Sequence, residues 1–255
     1  IEKIAGVPEM TYVSRLEASS HDANTIYGAF DNHKTGDFKP YVFRSTDRGR
    51  TWKSITSNLP VNHTTYAIVE DHVDPKLLFV GTELGLFVSQ NGGGSWTELN
   101  GGLPTIAVRD LAIQKRKNDL VVGTFGRGIY ILDDYRPLRT LDATAVQREA
   151  MLFPPREAEL YIEQTPFGLR GKGFQGASFF TAPNPPFGAV FTYYLKDELK
   201  SLRKQRHANE AKIERDATNE PAKINVPYPS LDAIRAEQRE LEPAIVLTVS
   251  DDEGT

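Results

Sequence analysis

The feature that most constrains this sequence is an eight-residue motif that occurs twice. The stretch "STDRGRTW" at 45–52 returns as "SQNGGGSW" at 89–96, a spacing of 44 residues from position 45 to position 89. The matching residues are Ser45, Asp47, Gly49, Thr51 and Trp52 in the first copy, and Ser89, Asn91, Gly93, Ser95 and Trp96 in the second. A period of about 40–50 residues predicts a fold built from similar units in series.

The segments around the motif repeat as well. "TYAIVEDHVDP" (65–75) and "VRDLAIQKRKN" (108–118) are equivalent leading strands, and "TYVSRLEASSHDAN" (11–24) is an earlier copy. "KLLFVGTELGLFVS" (76–89) and "NDLVVGTFGRGIYILDD" (118–134) each contain two further strands, in which Val, Ile, Phe and Tyr alternate with polar residues. The pattern predicts an all-β partial β-propeller over 1–140, with two complete blades and a third that lacks the motif.

The motif itself is predicted to close a hairpin. Asp47 can accept hydrogen bonds from backbone N–H groups across the turn, and Gly49 can adopt positive φ without steric cost. Trp52 is expected to bury its ring against the neighbouring sheet. Asn91 in the second copy keeps the acceptor oxygen but loses the charge, which a turn tolerates better than a catalytic acid or a calcium ligand does. The motif is therefore interpreted as structural.

The second half of the chain does not continue the repeat. Residues 141–175 are predicted to form a linker, and residues 176–255 a β-sandwich domain that is cut short. A strand is expected from Ala189 to Leu195 and another over 243–255, with a helical insertion at about 198–241 between them. Within the insertion, helices are predicted over 198–216, which is highly charged, and over 229–241. Ser230 is the expected N-cap of the second helix, with Leu231, Ile234 and Leu241 on one face.

Composition excludes several classes of function. The chain has 255 residues and a net charge of −4, which gives no basis for binding nucleic acid. It has no cysteine, so disulfides, thiol catalysis and cysteine-based zinc sites are excluded. No apolar run approaches the roughly 20 residues that span a membrane. The first residue is Ile1 within ordinary globular sequence, which predicts that the chain is part of a longer protein.

The pattern Ser-x-Asp-x-Gly-x-Thr-Trp resembles the Asp-box, or BNR, motif of sialidase-like and sortilin-like propellers. "VGTFGRGIYILDD" resembles the last blade of large bacterial propeller proteins of this type, often labelled glycosyl hydrolases. "NPPFGAVFTYYLKD" and "EPAIVLTVSDDEGT" resemble their C-terminal sandwich. The resemblance implies that the motif lies at the blade periphery, away from the ligand face, and that the protein is secreted or periplasmic. The Arg-Ile-Pro motif of sialidases is missing here.

Two carboxylates are candidates for catalysis. Glycoside hydrolysis needs two of them about 5–10 Å apart on opposite sides of a sugar. Glu83 lies in "GTELG", at a blade position comparable to the "GTFGRG" loop, and Asp110 lies on a predicted inner strand. No spacing marks these two residues as a pair among the many acids of the propeller loops.

Arg127 is the candidate ligand-binding residue. Gly126 and Gly128 flank it and allow close backbone approach, so its guanidinium can hold a carboxylate or a sugar hydroxyl. The alternative is that Arg127 pairs with an acid, such as Asp133, Asp134 or Asp110, and fixes the last blade.

The sequence leaves three functions open. The first is a non-catalytic binding or scaffold segment that takes a polysaccharide or a protein or peptide ligand and packs against the rest of a parent propeller. The second is part of a glycoside hydrolase acting on polysaccharide, resembling xyloglucanase-type propeller enzymes. The third is a sortilin-like peptide binder that uses the propeller channel. No cofactor is expected. No metal site is expected either, because a polar turn accounts for "EDHVDP" (70–75) better than a metal ion does.

Overall fold

The computed structural model describes residues 4–158, 160–162, 187–216 and 226–250. The chain divides into two compact units, Ile1–Tyr193 and Tyr194–Thr255. The first sheet contains β1 (Tyr12–Ala18), β2 (Ile26–Asp31), β3 (Tyr41–Ser45) and β4 (Lys53–Ser54). The second contains β5 (Thr65–Glu70), β6 (Leu78–Thr82), β7 (Gly85–Ser89) and β8 (Thr97–Glu98). The third contains β9 (Val108–Gln114), β10 (Asp119–Thr124) and β11 (Ile129–Leu132).

Each sheet is an antiparallel meander in which every strand pairs with the next one along the chain. The innermost strands β1, β5 and β9 are neighbours, because β5 contacts both of the others. The sheets are thus consecutive blades that stack face to face. This arrangement confirms the predicted all-β partial propeller, with two four-stranded blades and a third of three strands.

The hydrophobic core lies between the blades. One cluster joins the first and second blades and includes Tyr27, Val42, Ile68, Val80 and Trp96. Because β5, β6 and β7 are buried along their whole length, the second blade is covered on both faces. Burial of this kind contributes about 25 cal/mol per Å² of apolar surface.

A second cluster joins the second blade to the third. Within it, Phe79 packs edge-to-face on Tyr135, which follows the last strand of the third blade. On the last strand, β11, the alternate residues Ile129 and Ile131 are exposed, whereas Tyr130 between them packs against the cluster. The third blade therefore presents apolar side chains outside the core.

Each inner strand carries a β-bulge near its start. The register shifts between Val13 and Arg15 in β1, between Thr65 and Ala67 in β5, and opposite Gly123–Thr124 in β9. The extra residues are therefore Ser14, Tyr66 and Arg109 at equivalent positions of the three blades. A bulge bends the strand and redirects the side chain of the extra residue.

After β11, the first unit continues with 3₁₀ turns at Arg136–Arg139 and Ala145–Gln147, and with β12 (Ala150–Leu152). Strand β13 (Tyr193–Leu195) is shorter than the strand predicted from Ala189.

The second unit contains two helices. Helix α1 spans Leu202–Asp216 and α2 spans Leu231–Arg239, both inside the predicted bounds. Ser230 caps α2 as expected, because its hydroxyl accepts from the Ala233 N–H at 3.2 Å. The Arg206 guanidinium joins the helices through two hydrogen bonds to Glu237 of 2.6 and 3.0 Å.

Two expectations for this unit are not met. Residues 243–250 form no strand, and 251–255 lie outside the described residues. Leu241 lies beyond the end of α2 at Arg239, so it does not share a helix face with Leu231 and Ile234. An extended apolar segment needs a neighbouring strand to satisfy its backbone groups, and none is adjacent in the described part of this unit. The sandwich domain over 176–255 stays a prediction.

Candidate functional site

The turn at 45–52 is closed by its own side chains. The Ser45 hydroxyl donates to Asp47 Oδ1 at 2.8 Å and accepts from the Gly49 N–H at 2.8 Å. Asp47 in turn accepts from the Thr51 N–H at 2.8 Å and from the Thr51 hydroxyl at 2.6 Å. These donors, led by the Thr51 hydroxyl, lower the pKa of Asp47 to about 2. All of its recorded donors belong to the turn.

The turn at 89–96 repeats this geometry without a charge. Asn91 Oδ1 accepts from the Ser89 hydroxyl at 2.9 Å and from the Ser95 N–H at 2.8 Å, while its amide donates to the Ser95 hydroxyl at 2.8 Å. Trp96 is buried, and its indole N–H donates to the Ile55 carbonyl at 2.8 Å. The second turn is thereby attached to the preceding blade.

Neighbouring acids in "EDHVDP" connect the three blades. Glu70 accepts from the Tyr27 hydroxyl at 2.8 Å and from the Ser19 hydroxyl at 2.8 Å, both in the first blade. Asp71 is fully buried and accepts two hydrogen bonds from Arg139, of 2.7 and 2.8 Å.

Asp71 also accepts from the Tyr135 hydroxyl at 2.6 Å. Burial by itself raises the pKa of Asp71, but Arg139 and Tyr135 outweigh that effect and lower it to about 2. Among the described residues, no group of three or more His, Asp or Glu side chains is arranged to hold a metal ion.

The strongest candidate site lies where the inner strands begin. We call this the starting end, defined by Tyr12, Tyr66 and Arg109 at the starts of β1, β5 and β9. The turns after β2, β6 and β10 lie at the same end, because the strands of each blade are antiparallel. The hairpins at 45–52 and 89–96 lie at the opposite end.

Arg109 is the centre of this site. Its guanidinium carbon lies 3.7 Å from the centroid of the Tyr66 ring and 5.4 Å from that of Phe125, which are cation–π distances. The Tyr66 hydroxyl donates a short hydrogen bond to Glu83, whose Oε2 is 3.8 Å from Arg109 Nη2. Burial and the Glu83 acceptor raise the pKa of Tyr66, against the opposing effect of Arg109, so the phenol is a neutral donor.

The first blade contributes a second aromatic–cation pair to the starting end. The Lys34 ammonium lies 4.3 Å from the centroid of the Tyr12 ring. Nearby, His33 Nδ1 is 2.6 Å from Asp31 Oδ1, and the His33 ring packs edge-to-face on Tyr66 at 6.5 Å. The imidazole therefore connects the first blade to the Tyr66–Arg109 stack.

The two candidate carboxylates have different partners. Glu83 belongs to the Tyr66–Arg109 cluster. Asp110 instead accepts from Arg15 Nη1 at 3.2 Å and from the Leu111 N–H at 2.9 Å. Arg15 and Asp110 follow the bulges of β1 and β9 at equivalent positions, so the pair connects two inner strands.

Arg127 lies in the turn after β10, beside Phe125. The Thr124 hydroxyl closes this turn by donating to the Gly128 carbonyl at 2.6 Å, and Gly126 and Gly128 have φ of 78° and 77°. Arg127 is exposed and has no recorded ion pair or hydrogen bond within the described ranges. Two acids expected as alternative partners are already engaged, since Asp110 binds Arg15 and Asp134 binds Arg136.

Sequence reasoning missed Tyr66 and Phe125. One feature of the sequence could have indicated Tyr66. This residue is equivalent to Arg109 in the repeat, since each lies one residue after the start of its leading strand. The bulge that turns both side chains toward the starting end depends on pairing with the next strand, and the residue pattern alone does not specify it.

No protein-family model and no curated protein matches the chain. A GH74 enzyme from Niastella koreensis is 22% identical over 47% of this chain and 21% of its own, with a TM-score of 0.39. The GH74 xyloglucanase from Xanthomonas campestris is 18% identical over 50% of this chain and 22% of its own, with a TM-score of 0.39.

A β-propeller domain of Cps50 (Swd1) from Myceliophteria thermophila is 16% identical over 43% of this chain and 35% of its own, with a TM-score of 0.33. This chain covers about a fifth of the length of each of the two GH74 chains. The partial propeller fold of this chain is assigned from its strand order and strand pairing, and not from these similarities. Neither of the described helices is long and apolar enough to cross a membrane.

Proposed function

We propose that this chain is a non-catalytic, ligand-binding segment of a longer extracytoplasmic propeller protein. Its ligand is a glycan or a protein segment, and it binds at the starting end. The two Asp-box-like turns are structural in this proposal, and the remaining blades of the parent protein pack against the third blade.

The proposal rests on one observation: the two candidate carboxylates, Glu83 and Asp110, already have side-chain partners within the chain. Glu83 accepts from Tyr66 and faces Arg109, whereas Asp110 is held by Arg15 and its own strand. A glycosidase needs two carboxylates that both face one sugar. These two instead belong to separate side-chain clusters, while the exposed aromatic ring of Phe125 lies beside Arg109 as a binding surface.

The test compares binding with hydrolysis on one panel of plant and bacterial polysaccharides. We expect retention in affinity electrophoresis without release of new reducing ends. Glu83→Gln and Asp110→Asn are assayed beside the wild type. Release of reducing ends that either substitution abolishes would establish the alternative, a glycoside hydrolase with a catalytic group in this chain. Release that neither substitution changes would also contradict a purely binding role.

A further inference from the structure

Arg109 is held in place, yet its hydrogen-bonding capacity is unused. The Tyr66 ring lies against its guanidinium at 3.7 Å, and Glu83 is 3.8 Å away. No hydrogen bond from the Arg109 side chain is recorded in the described part of the chain. A guanidinium that is already oriented loses little conformational entropy when it binds a planar anion through two parallel hydrogen bonds.

Three arginines in the described part of the first unit have carboxylate partners at hydrogen-bonding distance. Arg139 binds Asp71, Arg136 binds Asp134, and Arg15 binds Glu17 and Asp110. Among the described residues, Arg109 and Arg127 have no carboxylate within hydrogen-bonding distance, although Arg109 Nη2 lies 3.8 Å from Glu83 Oε2. Phe125 connects the two arginines, since it contacts Arg109 and shares a turn with Arg127. The starting end therefore presents two cations with unused donors around one exposed aromatic ring.

The aromatic ring and the cations together favour a saccharide with carboxylate groups. Phe125 is 67% exposed and offers a flat apolar face. A uronate sugar has an apolar ring face and a carboxylate on the same residue, so it can contact Phe125 and an arginine at once. Tyr12 and Lys34 repeat the combination of aromatic ring and cation on the first blade at the same end. A polymer with one carboxylate per sugar unit matches this repetition better than a single terminal carboxylate does.

We infer that the starting end binds an acidic, uronate-containing polysaccharide, with Arg109 and Arg127 on its carboxylates and Phe125 against its sugar rings. This inference rests on the proposed binding function and specifies its ligand. Glu83 is a negative charge beside the anion and weakens binding, although its hydrogen bond with Tyr66 positions the stack.

The experiment measures binding of the full chain to polygalacturonate and alginate, to the esterified forms of both, to neutral xyloglucan and to poly-L-glutamate. Variants are Arg109→Gln, Arg127→Gln and Glu83→Gln. Arg50→Gln is the matched control, because Arg50 is an exposed arginine on the 45–52 hairpin at the opposite end. Circular dichroism and the thermal midpoint establish that each variant is folded.

We expect binding to at least one acid polymer but not to its esterified form, and weaker binding at higher salt. Arg109→Gln and Arg127→Gln should each weaken the Kd about tenfold or more, the loss of a charge-assisted hydrogen bond. Glu83→Gln should strengthen binding, and Arg50→Gln should leave it unchanged.

Other outcomes overturn the inference in distinguishable ways. Equal binding of acid and esterified forms, or binding of xyloglucan alone, would refute carboxylate recognition and leave the proposed glycan binding intact. Binding of poly-L-glutamate alone would replace the saccharide with an acidic peptide. Weaker binding in Glu83→Gln would make Glu83 a ligand contact and contradict its inhibitory role. No binding to any probe would count against the inference and the proposed function together.

Discussion

Asp47 and Asn91 occupy the same position in two turns and show which atom the motif requires. In both, Oδ1 accepts from the serine hydroxyl two residues earlier and from the N–H four residues later. The second side-chain atom differs, since Asp47 Oδ2 accepts from Thr51 whereas the Asn91 amide donates to Ser95. Because a hydroxyl can donate or accept, the turn accommodates either residue.

We therefore expect Asp47→Asn to keep the turn and Asp47→Ala to destabilise it. The pKa of Asp47 is about 2 when folded, below its ordinary 3.8. Its charge-dependent stabilisation is thus present above about pH 4 and is lost as the pH falls toward 2. The free energy of unfolding in urea is measured for wild type and Asp47→Asn at pH 7 and pH 3. The gap between them should shrink at pH 3, and a constant gap would refute the charge contribution.

At the scale of the element, the two hairpins differ in what they contact. Gly93 has φ of 88°, and a Cβ built on it lies 2.7 Å from Cβ of Ile55, in the segment that leads from the first blade to the second. Gly49 has φ of 83°, but the nearest atom to its Cβ is 3.6 Å away, on Trp52. Gly93 combines positive φ with a close contact between blades, whereas Gly49 requires only the backbone conformation.

Alanine at these two glycines should separate the two effects. Gly49→Ala is expected to lower the free energy of unfolding by about 1–2 kcal/mol, the penalty for an alanine in left-handed backbone conformation. Gly93→Ala should cost a further 1–3 kcal/mol or so, because Ile55 must move. Urea unfolding of both variants measures the difference. Equal losses would mean that the hairpin adjusts freely against the first blade.

At the scale of the first unit, the dipeptide Glu70–Asp71 ties three blades together. Glu70 receives its donors from the first blade, and Asp71 receives Arg139 and Tyr135 from the segment that follows the third. Among the described residues, every buried side-chain nitrogen or oxygen has a hydrogen-bond partner. Removing one partner of such a buried group is more costly than never having had the pair.

Asp71→Asn should therefore be among the most destabilising substitutions in the first unit. We expect the free energy of unfolding to fall by about 3–5 kcal/mol, because Arg139 keeps its charge but no longer faces a carboxylate. Asp74→Asn in the same turn is the control and should change the free energy of unfolding little, because the amide oxygen can still accept from the Lys76 N–H. Chemical unfolding measures both. The double variant Asp71→Asn with Arg139→Gln should be less unstable than the sum of the single ones, and strict additivity would argue against the pair.

The turns and the blade order were predictable because their determinants are local. The side-chain hydrogen bonds of Ser45 and Asp47 that close the 45–52 turn join residues within four positions of each other, and strand alternation follows from neighbouring residues. The strand predicted over 243–255 was wrong for 243–250, since an apolar alternating segment forms a strand only beside a partner. The roles of Glu83, Asp110 and Arg127 in binding or catalysis stay predictions.

The sequence by itself thus determined the repeated units, their number and the turns that close two of them. Only the tertiary structure decided which side chains meet at the starting end, and that Arg15 pairs with Asp110, 95 residues away. Arg109 reaches the ring of Tyr66 because bulges at the same place in β5 and β9 redirect both side chains. Such contacts depend on register and blade stacking, which arise from many weak interactions spread over the whole unit rather than from any short motif.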